Sequence, residues 1–402
     1  MGEHTSRQRV AGKPERSTLG ALIHAAVRSA IEAAVAAELA ATLGAGRYER
    51  RDTRQGYRNG TKTRTLSGPT GAMALTLPRA TVATAAGRTE WTSTLVPRYQ
   101  RRLTEVNTAI LATYLAGGNT RRIRGALAPL LHGAPLSRSA VSRIVATLTS
   151  SLAAWQARPL GDLELVYAYL DAVALRVRSG GKVVSLPVLA VVGVRADGQK
   201  VLVELDLCGG ESYAAWKGCL DGLVARGLTA PLLCILDGHA GLRRAVGEVW
   251  ARAAVQRCCV HKLRNLEAKA PKHVLDELRA DFHRIVYAAS AEAARGAWTA
   301  FERAWGKRCP GVVTSLQEAG AELLTFFSFP KAQWKTLRTT NSIERLNEEF
   351  RRRVKTQGSL PTEASAVLLL FGLVATGQIT LRKLDGYTQL AAVVRQRMRP
   401  AA

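Results

Sequence analysis

A series of β-rich runs between residues 163 and 258 constrains the fold of this chain more than any other feature. The first three runs cover residues 163–178, 183–194 and 200–207, and Gly180-Gly181 and Asp197-Gly198 separate them. Short turns of this kind between apolar runs are typical of β-hairpins. The sequence therefore predicts three consecutive antiparallel strands.

Helices and strands then alternate. A helix is predicted over residues 211–226, a buried strand over 232–236, a helix over 240–252 and a strand over 254–258, followed by another helix. Strands that are separated by helices pair in parallel. The resulting order, an antiparallel start with a parallel continuation, is that of an α/β, ribonuclease-H-like core.

This core is predicted to be interrupted. Residues 262–335 contain no strand-like run, and their apolar spacing predicts amphipathic helices such as 272–289 and 291–305. We interpret them as an all-helical insertion between a first core part, 160–261, and a second core part, 336–385. The second part should contain helices over 340–356 and 362–377. The basic tail is residues 386–402, and it is expected to be loose after Arg395.

The N-terminal part divides into three smaller regions. Residues 1–45 combine a polar tail, expected to be disordered to residue 17, with an amphipathic helix over 18–44 that either packs on the fold or mediates dimerisation. Residues 46–95 form a basic β-module, in which turns at Ser67-Gly68 and Gly71 connect a strand pair.

Residues 96–150 are predicted to be a helix-turn-helix region that binds DNA. Thr120 and Ser137 are candidate N-caps of two short helices, and Gly133 lies in the turn between them. A generic helical hairpin is the alternative, because short helix pairs are common. The surrounding positive charge favours DNA binding.

The formal net charge is +26 and the pI is near 10.6. Residues 51–150 contain 15 Arg or Lys against 3 Asp or Glu, and residues 331–402 contain 13 against 5. Segregated positive charge of this size favours nucleic acid as the partner over an anionic membrane. The predicted DNA contacts are Arg51, Arg54, Tyr57, Arg58, Lys62 and Arg64 in the β-module, Arg121, Arg122, Arg138, Ser139, Ser142 and Arg143 in the helix-turn-helix region, and Arg345, Arg351, Arg352, Arg353 and Lys355 near the C-terminus.

Six cysteines are scattered and none forms a Cys-x-x-Cys pair, which argues against a disulfide scaffold and a standard zinc finger. Cys258-x-x-His261 lacks a second ligand pair nearby, so zinc is disfavoured. We expect Cys258, His261 and His239 to support the fold or the neighbouring acids.

The N-terminus has no signal-peptide core and the longest uninterrupted apolar runs are too short to cross a bilayer, so a soluble, cytoplasmic protein without a membrane partner is expected.

Three acids stand in unusual settings. Asp171 and Asp237 lie in or directly after apolar, strand-like runs, and Glu344 lies one turn into a predicted helix. An ionised carboxylate in apolar surroundings needs compensation, and a divalent cation supplies it. Converging on two Mg²⁺ ions, with Mn²⁺ as the alternative, such acids would form a site for phosphoryl transfer. Ordinary strand-end acids are the alternative reading, and Asp197 and Glu204 are weaker candidates.

Four motifs around these acids resemble the Mutator-type DDE transposases of bacterial insertion sequences. They are Tyr-Leu-Asp-Ala-Val, Leu-Asp-Gly-His-Ala-Gly-Leu, Gln-Arg-Cys-Cys-Val-His-Lys-Leu-Arg-Asn and Trp-Lys-Thr-Leu-Arg-Thr-Thr-Asn-Ser-Ile-Glu-Arg-Leu-Asn. The resemblance covers most of residues 50–380. It implies that Asp171, Asp237 and Glu344 are the catalytic triad and the metal ligands. Two departures are visible: Ser342 stands where proline is expected, and Ala80 where an acid is usual.

The resemblance implies an enzyme that binds the terminal inverted repeats of its own element, cleaves strands and joins 3′-hydroxyls to target DNA. Two DNA ends must meet, so a homodimer or higher oligomer on DNA is expected. Two alternatives remain open: a DNA-binding regulator with a degenerate nuclease core, and a structure-selective nuclease that shares the core.

Overall fold

The computed structural model describes residues 18–85, 87–117, 123–131, 136–355 and 360–397. It is a mixed α/β protein with two sheets. Its backbone packs as two units, residues 1–145 and 146–402.

The first unit begins with a long helix on a small antiparallel sheet. Helix α1 is Leu19–Leu43, and the sheet contains β1 (Gly56–Gly68), β2 (Gly71–Thr84) and β3 (Gly87–Glu90) in that order. The tight turn between Gly68 and Gly71 confirms the predicted strand pair. Strand β1 begins at Gly56, so the basic residues from Arg58 to Arg64 lie on a strand.

Helix α1 is long and apolar enough to cross a membrane, by length and composition alone. The sequence prediction considered only uninterrupted apolar runs, and Arg28, Glu32 and Glu38 interrupt the apolar residues of this helix. Its C-terminal half packs on the sheet, where Val35, Leu39 and Leu43 are fully buried. The Glu32 carboxylate accepts a hydrogen bond from Thr76 N at 2.6 Å. These contacts confirm the packed alternative for this half, and dimerisation through the helix stays a prediction.

Four helices complete this part of the chain: α2 (Thr104–Leu115), α3 (Ile123–Ala126), α4 (Ala128–Leu131) and α5 (Arg138–Ala157). The Ser137 hydroxyl accepts from Ala140 N at 3.2 Å, which confirms the predicted N-cap of α5. The first predicted helix is split into α3 and α4. Helix α2 was not predicted, although Val106 and Ile110 share one apolar core with the other three helices. Thr120, the turn containing Gly133, and the polar tail lie outside the described residues.

Helix α5 continues beyond residue 150, where the sequence analysis placed a boundary. Leu148 and Leu152 remain on its buried side, and no glycine or proline interrupts the helix before Arg158. The apolar face therefore extends the helix by two turns.

The second unit is built on a five-stranded sheet. Its strands are β4 (Leu165–Ser179), β5 (Lys182–Arg195), β6 (Lys200–Leu207), β7 (Leu233–Leu236) and β8 (Ala254–Arg257). Their order across the sheet is β6-β5-β4-β7-β8. The first three pair antiparallel, and β7 and β8 join in parallel. The predicted strands and pairing directions are confirmed.

Helices cover both faces of this sheet. On one face, Ala168 and Leu170 pack with residues of α6 (Tyr213–Ala225) and α7 (Ala240–Val249), including the buried Trp216. On the other, the Tyr167 and Tyr169 hydroxyls donate to Gln333 Oε1 at 2.6 Å and Thr336 O at 3.2 Å. Alternate residues of β4 therefore serve opposite faces, as the pleat of a strand requires.

The segment between β8 and the last part of the unit is helical. It contains α8 (Cys259–Glu267), α9 (Leu275–Val286), α10 (Ala291–Trp305), α11 (Pro310–Ala319) and α12 (Trp334–Leu337), with 3₁₀ turns at Lys272–Val274, Gly320–Leu323, Thr325–Ser328 and Lys331–Gln333. Residues 262–335 are all described and contain no strand, as predicted. We call residues 259–338 the helical block. Its two ends meet, because Cys259 N donates to Arg338 O at 2.9 Å.

The chain then forms α13 (Asn341–Lys355), α14 (Glu363–Ala375) and α15 (Leu390–Arg397), close to the predicted bounds of the first two. Helices α13 and α14 both pack against β4. Helix α15 lies in the basic tail and ends at Arg397, two residues past the point where the tail was expected to become loose. Residues 398–402 lie outside the described residues.

A buried charge cluster fixes the helical block to the sheet. Arg257 in β8 and Lys262 in α8 are almost completely buried, and both bond to Glu318 of α11, at 3.0 Å and 2.7 Å. Lys262 also donates to Ser315 O at 2.9 Å. Although burial opposes ionisation, the two cations lower the pKa of Glu318 to about 2. One carboxylate thus compensates two buried cations.

Replacing Glu318 with glutamine should lower the free energy of unfolding by about 2 kcal/mol at neutral pH. A buried cation left unpaired costs more, but Glu318 itself is 58% exposed and water screens part of the interaction. Since the folded pKa is depressed, the wild-type protein should lose this contribution as the pH falls from about 4.5 through about 2. Urea unfolding across that range measures both effects. Glu277→Gln, which breaks an exposed pair with Arg308, is the control, and an equal loss in both variants would contradict the assignment.

Candidate active site

Two of the predicted acids lie side by side at the junction of two parallel strands. Leu170 of β4 pairs in register with Leu236 of β7. The residues that follow them are Asp171 and Asp237. Adjacent strands lie about 4.8 Å apart, so the two carboxylates start from neighbouring positions on the sheet.

Asp171 is half-buried and both of its oxygens are hydrogen-bonded. Oδ1 accepts from Ala172 N at 2.9 Å, and Oδ2 accepts from the side-chain amide of Asn347 at 2.7 Å. Burial raises the pKa of Asp171 to about 6, and the negative charges of Asp237 and Glu344 add to the rise. The three acids are therefore close enough to repel one another.

The turn after Asp237 requires a glycine. Gly238 has a φ of +102°, and a Cβ at this position would lie 2.4 Å from the Arg257 guanidinium. Asp237 Oδ1 accepts from His239 N at 2.8 Å, which stabilises the turn. His239 caps α7 by accepting from Leu242 N at 3.3 Å. Of the two roles expected for His239, support of the fold is therefore observed, as the N-cap of α7.

Helix α13 brings Glu344 to this edge of the sheet. Asn347 lies one turn after Glu344 and is 1% exposed. Its bond to Asp171 holds the helix against β4. Helical spacing puts Asn347 on the same face of α13 as Glu344. No role was predicted for Asn347, because a sequence does not show which strand that face contacts.

Cys258, His261 and Thr340 form a network around Glu344. Thr340 donates to Cys258 Sγ from its backbone N at 3.3 Å, and its hydroxyl lies 3.2 Å from the same sulfur. His261 Nε2 lies 3.3 Å from Glu344 Oε1. The expected supporting role of Cys258 and His261 thus corresponds to a direct contact with the predicted catalytic helix.

The network couples the titration of the Cys258 thiol to that of the His261 imidazole. Burial opposes ionisation of the Cys258 thiol, but hydrogen bonds from His261 and Thr340 outweigh it and lower the pKa of Cys258. The bond to Cys258 raises the pKa of His261 to about 9, with smaller contributions from Glu344 and Asp237. A protonated His261 then balances part of the negative charge of the three acids.

The donor set around Asp171 fits a hard divalent cation. Asn347 Oδ1 is buried and has no hydrogen-bond partner, although its amide group already contacts Asp171. Carboxylate and amide oxygens are the ligands that Mg²⁺ prefers. Burial, together with repulsion from Asp237 and Glu344, raises the pKa of Asp171, and a bound cation would offset both effects.

Glu344 lies close to two other side chains that could bind a metal ion. Among the described residues, the one group of three candidate ligand atoms that lie within 4.8 Å of one another belongs to Cys258, His261 and Glu344. Structural zinc normally takes four protein ligands, so this group alone does not form such a site. Coordination of shared ions by Asp171, Asp237 and Glu344 stays a prediction.

Comparison with known proteins identifies the family. The sequence profile described as "Transposase, Mutator family" matches residues 3–379. The chain belongs to the Mutator family of transposases.

Several curated relatives are named as transposases of insertion sequence elements. The transposase for insertion sequence element ISRM5 of Rhizobium meliloti is 35% identical over 321 residues, 80% of this chain and 78% of that protein. Those for IS1081 of Mycobacterium tuberculosis and IS406 of Burkholderia multivorans are 34% and 33% identical. They cover 71% and 81% of this chain, and 68% and 82% of their own lengths.

Both departures from the family pattern have a structural setting in this transposase. Ala80 is fully buried beside Leu39 and Leu43, where an acid would be desolvated against α1. The Ser342 side chain hydrogen-bonds to the Tyr169 hydroxyl, a contact that proline cannot make.

In the β-module of this transposase, the predicted DNA contacts have unlike surroundings. Arg64 donates to three backbone carbonyls, those of Val96, Pro97 and Gln100, at 2.7–3.2 Å. Arg58 is half-buried and donates to Ala45 O at 3.5 Å. These two side chains therefore support the fold of the module, which the sequence did not indicate.

Of the other four contacts predicted in the module, Arg51 and Tyr57 are exposed and Arg54 and Lys62 are half-buried. Tyr57 is 60% exposed, with the Arg54 guanidinium 5.4 Å from its ring centre. Arg51 pairs with Glu49 at 2.6 Å, and Lys62 lies 3.9 Å from Glu90. DNA contact by all six residues of the module stays a prediction.

The start of α5 presents the predicted recognition residues. Arg138, Ser139, Ser142 and Arg143 are all exposed. Arg143 also lines a cleft with Arg101 and Arg102. Burial and the charges of Arg143 and Arg101 lower the pKa of Arg102. The sequence missed Arg101 and Arg102 because they lie about 40 residues earlier. Arg121 and Arg122 lie outside the described residues.

The cations on α13 differ in their freedom. Arg345, Arg351, Arg352 and Lys355 are exposed, whereas Arg353 is half-buried. Arg352 forms a salt bridge with Glu349. The exposed members keep their charge at the surface of the helix that carries Glu344.

Replacing Cys258 with alanine should lower the pKa of His261 from about 9 towards its ordinary value near 6.5. The hydrogen bond to Cys258 is the largest cause of the rise, and burial, which lowers the pKa of His261, would remain. Titration of the histidine resonances by NMR in metal-free protein measures the change. Cys309→Ala is the matched control because Cys309 is a free, half-buried cysteine outside the network. An unchanged pKa of His261 in Cys258→Ala would contradict the coupling between the two side chains.

Proposed function

We propose that this protein is a DNA transposase that binds the terminal inverted repeats of an insertion sequence and catalyses Mg²⁺-dependent strand cleavage and 3′-hydroxyl strand transfer. The observation that carries the proposal is the pairing of Leu170 with Leu236, which sets Asp171 beside Asp237 in a member of the Mutator family. The relatives are named as transposases of insertion sequence elements, which supports DNA as the substrate.

The sheet order supports a ribonuclease-H-like core for this enzyme. Three antiparallel strands followed by two parallel strands, with acids on the two central neighbours, is the arrangement expected of that core. In this proposal the helical block is an insertion between β8 and α13.

Asp171, Asp237 and Glu344 are the residues proposed to hold two Mg²⁺ ions, with Mn²⁺ as a substitute. When bound, the ions would activate the attacking water or 3′-hydroxyl and stabilise the leaving oxygen. Asn347 orients the carboxylate of Asp171, and the exposed cations of α13 neutralise the DNA backbone near the site. No nucleophilic side chain is required for this chemistry.

The first unit is proposed to recognise the DNA ends, through the basic β-module and the start of α5. The exposed Arg138, Ser139, Ser142 and Arg143 occupy the helix positions from which base edges are contacted. Because two DNA ends must be joined, we propose that the protein acts as a homodimer or larger assembly on DNA, in the bacterial cytoplasm.

Asp171→Asn should reduce Mg²⁺-dependent strand cleavage and joining by roughly a thousandfold or more, because it removes a metal-binding charge without changing shape. The substrate is a duplex carrying the element's own terminal repeats, and products are resolved on denaturing gels. Asp197→Asn is the matched control, since Asp197 is an exposed acid in the β5–β6 turn and asparagine can still accept the bond from Gln199 N. Full activity in Asp171→Asn would remove the assignment. Wild-type protein that binds but never cleaves would favour the regulator.

Arg143→Ala should weaken binding to the terminal repeats by about 1–3 kcal/mol and reduce discrimination against unrelated duplexes. The reason is that Arg143 is exposed on the first turns of α5, beside the Arg101–Arg102 cleft. Footprinting and competition binding measure the effect. Arg28→Ala removes the same charge from an exposed position on α1 and serves as the control. Cleavage without any sequence preference in the wild-type protein would favour the structure-selective nuclease.

A further inference from the structure

A second cleft lies beside the first turn of α13. Its volume is about 490 Å³, and it is lined by the segment that leads into α13, by Lys200 at the start of β6, and by residues 379–385. The last segment is fixed in place, because Gln199 Nε2 donates to Leu381 O at 2.6 Å and Leu384 N donates to Gly198 O at 2.9 Å.

The lining of the cleft is strongly cationic. Two acids are present, and Glu349 is already paired with Arg352, which leaves Asp385 as the unpaired carboxylate. None of the lining cations forms an ion pair with a described residue. The lining cations are Lys200, Lys335, Arg345, Arg382 and Lys383.

Lys200 is the most buried of these cations. Burial lowers the pKa of its ammonium group, and Arg345 lowers it further, while Asp385 acts in the opposite direction. The environment therefore leaves a desolvated positive charge under-compensated. An anion in the cleft would stabilise it.

Two hydroxyls in the lining also lack partners. Thr339 is 7% exposed, and its buried Oγ1 has no hydrogen-bond partner; the same is true of Thr336 Oγ1. A buried hydroxyl without a partner is costly, so such groups normally meet a ligand or water. Asn341 and Ser342, also in the lining, begin the fifteen-residue helix α13, whose N-terminal end carries partial positive charge.

The first turn of α13 separates this cleft from the acidic cluster. Thr340 and Glu344 belong to the network with Cys258 and His261, whereas the adjacent Thr339 and Arg345 line the cleft. Whatever occupies the cleft is therefore held next to the proposed catalytic helix.

We propose that this cleft binds a backbone phosphate of the DNA strand on which the enzyme acts, a role that rests on the proposed function. The cationic side chains, the unpartnered hydroxyls and the helix N-terminus together match the chemistry of a phosphodiester. The described lining contains no aromatic side chain on which a base could stack, which favours a strand backbone over a free nucleotide.

Binding of the full-length protein to a fluorescein-labelled DNA duplex of arbitrary sequence tests the proposal, over a series of KCl concentrations. Lys200→Met and Lys335→Met should each raise Kd by about tenfold at low salt and reduce the slope of log K against log salt by about one. Thr339→Val should raise Kd roughly fivefold with the slope unchanged, because it removes a hydrogen bond but no charge.

Matched controls are available for each change. Lys307→Met removes one exposed charge and Thr314→Val one exposed hydroxyl, both outside the cleft, and both should leave Kd unchanged. Thermal unfolding checks that each variant is folded. Lys335 is exposed, so its variant remains informative even if replacement of Lys200 or Thr339 disturbs folding.

Binding of inorganic phosphate and ADP to the same variants, measured by calorimetry, separates the sources of the phosphate group. Variants that lose affinity for these small anions but bind duplex as the wild-type protein does would overturn the proposal in favour of a nucleotide site. Unchanged duplex binding in all three cleft variants would also overturn it. Weakened duplex binding supports it, even if the wild-type protein shows no cleavage, in which case the proposed function alone fails.

Discussion

The parallel pairing of β4 with β7 is the interaction on which the rest of the candidate site depends. It is short, four residues on each strand, but all of β7 is buried. A slip by one residue would turn the alternating side chains of β7 to the opposite faces, which burial on both sides forbids. The register is therefore fixed by packing, and Asp171 and Asp237 become neighbours although 65 residues separate them. Helix α13 then completes the site by bonding Asn347 to one of these two acids.

The sequence predicted the five strands of the second unit and most of its longer helices to within a few residues, because their apolar patterns are long. Helices α11, α12 and α15 were not predicted individually. The prominent acids were found for a similar reason, since a carboxylate in an apolar run is conspicuous. What the sequence could not give is side-chain pairing across the fold. The contacts of Asn347 with Asp171 and of Thr340 with Cys258 join residues 176 and 82 positions apart, and neither residue type is unusual in its local setting. The split first helix and the unpredicted α2 show the same limit where the local pattern is short.

Positively charged side chains have three kinds of surroundings in this protein. Counting arginines along the chain predicts a polyanion partner, but it cannot distinguish Arg64, whose guanidinium is used by three carbonyls, from the exposed Arg143. Arg257 and Lys262 serve a third purpose, as buried anchors for Glu318. Two groups of cationic side chains, without carboxylate partners among the described residues, line the clefts beside α5 and α13. The phosphate contacts that we propose lie in those clefts, and the net charge alone does not locate them.

The hydrogen bond between Cys259 and Arg338 has a consequence for how this architecture can change. The first and last residues of the helical block lie next to each other, so the block forms a closed loop between β8 and α13. Its length does not alter the distance between these two elements. The entropy of closing a loop grows only slowly with the number of residues in it. The block can therefore be enlarged, trimmed or exchanged in evolution while Glu344 keeps its place, provided that a partner for the buried cations of β8 and α8 is retained.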